Sequence, residues 1–190
     1  MKIAFVYFPN FTLLDVIGVY DPLYRLKSLG IIPGLVIENV AFHPECQDPH
    51  CWSPPNLLLR KSLSEYDLLF VPGGMGTRPL RYDQDFLDWL RTGKDIPLIT
   101  SVCTGSLLLG AAGMLRGHAA TTHFNEYDSL KEFCLDVKVA ELVVSSNVIT
   151  AGAVAASLEL GLYLCERLAG KDAREKVRKS MNYRNDPMKQ

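Results

Sequence analysis

No stretch of the chain approaches the roughly twenty apolar residues that a membrane-spanning helix needs, so no transmembrane segment is expected. Neither sign of charge is in excess: 20 Lys and Arg stand against 21 Asp and Glu, for a net charge of −1. A balance so close to zero gives no general polyanion-binding surface, and nucleic acid is not an expected partner. Cysteines are five, an odd number, and scattered. That argues against a disulfide framework and for a reducing cytoplasm. No leader with a small-residue cleavage site opens the chain, because Lys2-Ile3-Ala4-Phe5-Val6-Tyr7 enters a strand pattern at once. Internal repeats, low-complexity tracts and linkers are also lacking, and no second domain is available to carry a helix-turn-helix. The chain therefore reads as one domain over residues 1–190, with a core over about 2–169 and a C-terminal helix and tail over 170–190. The segment Lys171 to Lys189 holds seven Lys and Arg against three Asp and Glu, the composition of a solvated terminal helix and tail.

What the chain does have is alternation. Lys2 to Tyr7, Leu35 to Phe42, Tyr66 to Val71, Pro97 to Val102, Val139 to Ser146 and Val148 to Thr150 are β-prone. Leu57 to Arg60 has the form of a short edge strand, and Ala119 to Thr122 is a shorter β-prone piece. Between them, Thr12 to Leu29, Gln84 to Arg91, Asn125 to Phe133 and Ala153 to Ala169 have helical spacing, with Leu13, Ile17, Tyr20 and Tyr24 sharing one side of the first. Gly30 is placed to end that helix. Strands alternating with helices predict an α/β three-layer sandwich, a mainly parallel sheet with helices on both faces.

Residues Thr100 to Ser106 read Thr-Ser-Val-Cys-Thr-Gly-Ser, between the apolar run Ile96 to Ile99 and the helix formers Leu107 to Ala112. A reactive side chain among small residues at a strand-to-helix junction is the pattern of a nucleophile elbow. The turn would aim the sulfur of Cys103 at a helix N-terminus, where free N–H groups favour thiolate over thiol. Free cysteine is also a common small core residue.

Sites on parallel sheets lie at the carboxyl ends of the strands, and three more elements fall there. Gly73-Gly74 follows the strand ending at Val71 and has amides able to approach a ligand, beside the N–H of Thr104, as an oxyanion hole. Gly74-Met75-Gly76 opens like a dinucleotide fingerprint, but Pro79 occupies its last position. Asp15 follows the first strand; it either caps a helix, at the Thr12-x-x-Asp15 spacing, or faces Cys103 as an acid–base group. His123 ends a β-prone piece and is placed to pair with the cysteine or to be a satisfied strand-end histidine. His43, Cys46, His50 and Cys51 form a cluster of metal-ligating types whose spacing matches no recurring zinc pattern, so no metal is expected. Cys134 and Cys165 sit in apolar surroundings as packing residues.

The ordered set Leu14-Asp15-Val16-Ile17-Gly18, Val71-Pro72-Gly73-Gly74, Ser101-Val102-Cys103-Thr104-Gly105-Ser106, Ala120-Thr121-Thr122-His123 and Thr150-Ala151-Gly152 resembles the ThiJ/PfpI superfamily, whose fold is flavodoxin-like and related to class I glutamine amidotransferases. The resemblance spans roughly Lys2 to Ala169. Within the superfamily the chain is most similar to the isonitrile hydratase branch, which carries Asp in the first motif and Thr after the cysteine. Peptidase-like members usually have Glu and His there. The chain departs from the branch in its closing helix, with Ser157 and Glu159 where Gly and then Asp are common. The resemblance implies a catalytic set of Cys103, Asp15 and Thr104, with Gly73, Gly74 and His123 around the substrate or its oxyanion. It implies a small-molecule substrate, no cofactor and a homodimer. Its alternatives within the superfamily are a ligand-sensing domain of the kind found in AraC-type regulators and a redox or carbonyl-stress protein with an oxidisable cysteine.

Overall fold

A computed structural model describes residues 1–183. The expected tail from 184 to 190 lies outside the described residues.

The chain begins with β1 (Lys2–Tyr7), whose residues after Lys2 are all buried. It turns into α1 (Leu13–Ser28), then β2 (Val36–Ala41) and the two-residue edge strand β3 (Leu58–Leu59). β4 (Leu68–Val71) leads through the glycine-rich loop to the short α2 (Thr77–Leu80) and α3 (Gln84–Arg91). β5 (Leu98–Val102) runs into α4 (Gly105–Ala111). After β6 (Ala119–Ala120), α5 (Tyr127–Leu130) and β7 (Asp136–Val137), the hairpin of β8 (Leu142–Ser145) and β9 (Val148–Ala151) precedes α6 (Ala156–Ala169) and α7 (Lys171–Ser180).

Among the described residues the main sheet has seven strands in the order β3-β2-β1-β4-β5-β9-β8. Every pairing in it is parallel except β8 with β9. The central strands β4, β5 and β9 are buried along their whole length, as strands covered on both faces must be. Two groups of helices supply the cover: α1 with α6 and α7, and α4 with α2, α3 and α5. The chain is an α/β three-layer sandwich. The strand order reverses between β1 and β4, so the crevice at the carboxyl ends of β1, β4 and β5 lies where doubly wound sheets hold their sites.

One helix is turned differently from its hydropathy pattern. Leu13, Ile17, Tyr20 and Tyr24 do share a side of α1, but Ile17 and Tyr24 are exposed and the other two are half-buried. The buried side is Asp15, Gly18, Val19, Pro22, Leu23 and Leu26. Small residues line it because α6 comes close: a Cβ added at Gly18 would fall 2.0 Å from the Ser157 hydroxyl oxygen. The predicted helix over Asn125 to Phe133 is a 3-10 turn over Phe124–Glu126 followed by α5.

Candidate active site

Cys103 stands between β5 and α4 with φ +55°, in the left-handed region that disfavours any side chain with a Cβ. Such a conformation costs on the order of 1–3 kcal/mol and persists only where its surroundings fix it. Here they do. The Cys103 N–H donates to the carbonyls of Ala151 at 3.0 Å and Gly152 at 2.7 Å. Its carbonyl accepts from the hydroxyls of Thr122 at 3.0 Å and Ser106 at 3.2 Å. The elbow expected from the sequence is present, and both backbone polar groups of its apex are held from outside the turn.

Glycine allows the strands to close on this apex. A Cβ at Gly105 would meet the Val71 carbonyl oxygen at 2.2 Å, so α4 can start against the end of β4 only without one. At Gly73 it would lie 2.7 Å from Cys103 Cβ, 2.7 Å from Thr104 N and 2.9 Å from Asp15 Oδ2. Gly73 therefore marks the place where the ends of β1, β4 and β5 converge, with Asp15 and Cys103 on either side of it.

Asp15 does not cap its own helix. Thr12 makes no side-chain capping bond, and the Asp15 carboxyl crosses instead to the next strand, where Oδ2 accepts from the Gly73 N–H at 2.8 Å. Oδ1 is buried and has no partner in the protein. The side chain is fully buried, and desolvation pushes its pKa up to about 7 against the pull of the Gly73 N–H. A buried carboxyl whose pKa is raised toward neutrality, with one oxygen uncommitted, is suited to moving a proton. Asp15 forms no direct hydrogen bond to the Cys103 sulfur; both residues border the space that a Gly73 side chain would fill.

The thiolate expected at a helix N-terminus is not the resting form. Cys103 is 5 % exposed, and burial, followed by the nearby Asp15 carboxylate, pushes its pKa up to about 12. The N–H and hydroxyl of Thr104 and the charge of Arg78 act the other way and are outweighed. α4 is only seven residues long, so its end carries a small dipole.

The glycine amides are committed inside the protein. Gly73 N–H holds Asp15, and Gly74 N–H donates to Thr104 Oγ1 at 3.1 Å. They position the acid and the threonine rather than standing free as an oxyanion hole. Thr77, which the sequence reading passed over, completes the arrangement: its hydroxyl lies 2.8 Å from the Gly74 carbonyl oxygen and 3.0 Å from Thr104 Oγ1. It has one proton, and the shorter contact goes to the carbonyl. That leaves the Thr104 proton able to turn from its 3.3 Å contact with Gly74 O toward the sulfur.

His123 is engaged locally. Its Nδ1 accepts from the Asn125 N–H at 3.3 Å, capping the 3-10 turn, and its ring stacks on Phe124 with centroids 4.2 Å apart. Among the described residues no hydrogen bond or ion pair joins it to Cys103 or Asp15. The His43 to Cys51 segment forms a loop of local bonds. His43 Nε2 pairs with Asp83 at 3.3 Å, the Cys46 thiol donates to the His43 carbonyl at 3.0 Å, and Asp48 accepts from the N–H groups of His50 and Trp52. Cys134 and Cys165 donate to the carbonyls of Leu130 and Pro22, as packing residues do. Beside the site, a cavity of about 520 Å³ is lined by Thr12, Leu13, Ile17, Pro49, His50 and Met75 among others.

The chain is 32% identical to the isonitrile hydratase of Pseudomonas putida over 195 residues, covering 98% of this chain and 80% of that one. It is 25% identical over 178 residues to Protein DJ-1alpha of Drosophila melanogaster, covering 90% and 82%. The crystal structure of a ThiJ/PfpI family protein from Pseudomonas syringae superposes with a TM-score of 0.86 at 30% identity, over 98% of this chain and 76% of that one. The DJ-1/PfpI family model matches residues 1–167, and with it the chain belongs to the DJ-1/PfpI family.

Proposed function

We propose that this protein is a cysteine-dependent hydratase that converts isonitriles to N-substituted formamides. The observation that carries the reading is the identity of the acid–base partner. A buried Asp15, at about neutral pKa and with an uncommitted oxygen, faces Cys103, while His123 is engaged elsewhere. An isonitrile R–N≡C offers a carbon that accepts a nucleophile and then a proton. A thiol with a carboxyl beside it suits both steps without a cofactor.

Cys103 gives its proton to the Asp15 carboxylate as its sulfur forms a bond to the terminal carbon. Asp15 delivers that proton to the same carbon, leaving the thioimidate Cys103–S–CH=N–R. Water then attacks the carbon as Asp15 takes one of its protons and passes it to the nitrogen. The C–S bond breaks, the sulfur recovers a proton, and R–NH–CHO departs. The sum is one isonitrile and one water to one formamide. The Thr104 N–H and hydroxyl stabilise the sulfur when it carries charge. A peroxide-sensing role asks for an exposed cysteine, whereas Cys103 is 5 % exposed.

The same reading takes residues 1–190 as one domain, working in the cytoplasm as a homodimer. Among the described residues no helix is long and apolar enough to cross a membrane. The test is a screen of purified protein against alkyl and aryl isonitriles, glyoxals and amides, with formamide followed by mass spectrometry. Isonitrile turnover that is lost in Cys103→Ser supports the proposal. Turnover of glyoxals or amides alone, or of nothing, rejects it.

A further inference from the structure

Two segments grip the Cys103 elbow from opposite sides. Thr77, at the start of α2, lies 3.0 Å from Thr104 Oγ1, and Thr122 donates to the Cys103 carbonyl at 3.0 Å. The residue after Thr77 is Arg78, and four residues after Thr122 comes Glu126. These two meet: Arg78 Nη2 donates to Glu126 Oε1 at 2.9 Å, across 48 residues of sequence. The ion pair closes a ring of contacts that begins and ends at the nucleophile. Glu126 is firmly seated, with a side chain 15 % exposed and Oε2 accepting from Ser129 Oγ at 2.8 Å. Arg78 is 44 % exposed and rests its Nη1 3.1 Å from the sulfur of Met75.

Charged groups around the Cys103 sulfur are few. α1 presents Asp15. β4 ends at Val71 and runs into Pro72-Gly73, and the first turn of α4 has no acidic residue. The turn after β6 presents His123, whose Nδ1 is tied to Asn125, and then Glu126. α2 presents Arg78, the cation whose charge acts on the thiol against that of Asp15. A half-exposed ion pair contributes little to stability, so its value lies in where it puts its charges.

We propose that Arg78 is an electrostatic positioning residue for Cys103, and that its ion pair with Glu126 sets how much of the guanidinium charge the sulfur feels. Arg78 favours the thiolate as the sulfur loses its proton. Glu126 holds the guanidinium in place and offsets part of its field. The two residues therefore act on the sulfur with opposite sign, although both belong to one clasp.

Opposite sign makes the proposal testable without any isonitrile, so its outcome is separate from that of the substrate assignment. Full-length protein is alkylated with iodoacetamide at pH 8, and the peptide bearing Cys103 is followed by mass spectrometry apart from the exposed Cys51. A modest change in the acidity of the thiol, partly offset by the lower nucleophilicity of a less basic thiolate, changes the rate about twofold to threefold. Arg78→Gln should slow Cys103 by that factor, Glu126→Gln should speed it by a similar one, and Arg78→Lys should restore it. All differences should shrink at about 1 M salt, where the Debye length falls to about 3 Å. A clasp with only a structural role would move Arg78→Gln and Glu126→Gln in the same direction, and that result overturns the proposal, as does no change in either. Should Arg78→Gln fail to fold, Glu126→Gln still decides: a Cys103 that reacts more slowly or no faster than wild type overturns it.

Discussion

Asp15 carries a cost that can be measured. Its pKa is raised to about 7 in the folded protein, against about 3.9 in an unfolded chain. Between those values the folded state binds more protons than the unfolded state, so stability falls as pH rises. The contribution is fully present below about pH 4 and is lost by about pH 7, for a total of about 4 kcal/mol. Asp15→Asn removes the titration. The variant should be more stable than wild type at pH 8, with the gap narrowing toward pH 5, in urea unfolding at both values. A gap independent of pH would show that Asp15 is not the buried acid described here. The sequence left Asp15 two readings, a helix cap or a group facing Cys103; the structure removes the cap, because the carboxyl accepts from the Gly73 N–H, a contact 58 residues away that no local pattern shows. The protonation of Cys103 was not legible. A helix N-terminus is visible in a local pattern, but the burial and the carboxylate that outweigh it come from other strands. Arg78 and Thr77 were missed for the same reason: their partners Glu126 and Thr104 are far off in sequence.

At the scale of elements, the site depends on how closely α4 starts against β4. Gly105→Ala places a methyl group 2.2 Å from the Val71 carbonyl oxygen, a backbone atom that has little freedom to retreat. The helix start must move, and Thr104 and Cys103 move with it. Overpacking of this kind costs about 1–3 kcal/mol. Turnover should fall by more than the stability loss alone explains, so Gly105→Ala should lose at least about tenfold in kcat/KM while still folded by circular dichroism. Near-normal turnover would mean that the elbow tolerates displacement. The main-sheet strands were legible from local pattern, since β4 is a continuous apolar run and β1 and β5 contain one, whereas the two-residue β7 has no such pattern and was not expected. The orientation of α1 was not legible. Hydropathy favours the side with Leu13, Ile17, Tyr20 and Tyr24, whereas close packing on α6 selects the side with Gly18 and Pro22, against Ser157 and Gly161.

That inverted helix matters for the whole molecule. Leu14, Ile17 and Tyr24 are 51 %, 41 % and 46 % exposed along the outer side of α1, an apolar stripe whose first two residues also line the cavity of about 520 Å³. Burying such a stripe is worth about 25 cal/mol per Å² of apolar surface, and under the proposed homodimer it is the face offered to the second copy. Light scattering should give a dimer for wild type and a monomer for Ile17→Asp at the same concentration. A monomeric wild type would remove the dimer from the account.

The central claim is that Asp15, not His123, is the working partner of Cys103. The most direct measurement is kcat/KM on one alkyl isonitrile for Asp15→Asn and His123→Ala side by side with wild type. General acid–base assistance is worth about 10²–10⁴-fold, so Asp15→Asn should lose activity in that range. His123→Ala, whose ring caps the 3-10 turn and stacks on Phe124, should stay within about threefold of wild type. The reverse result, a His123→Ala enzyme as damaged as one lacking Cys103 and an Asp15→Asn enzyme close to wild type, would contradict the mechanism.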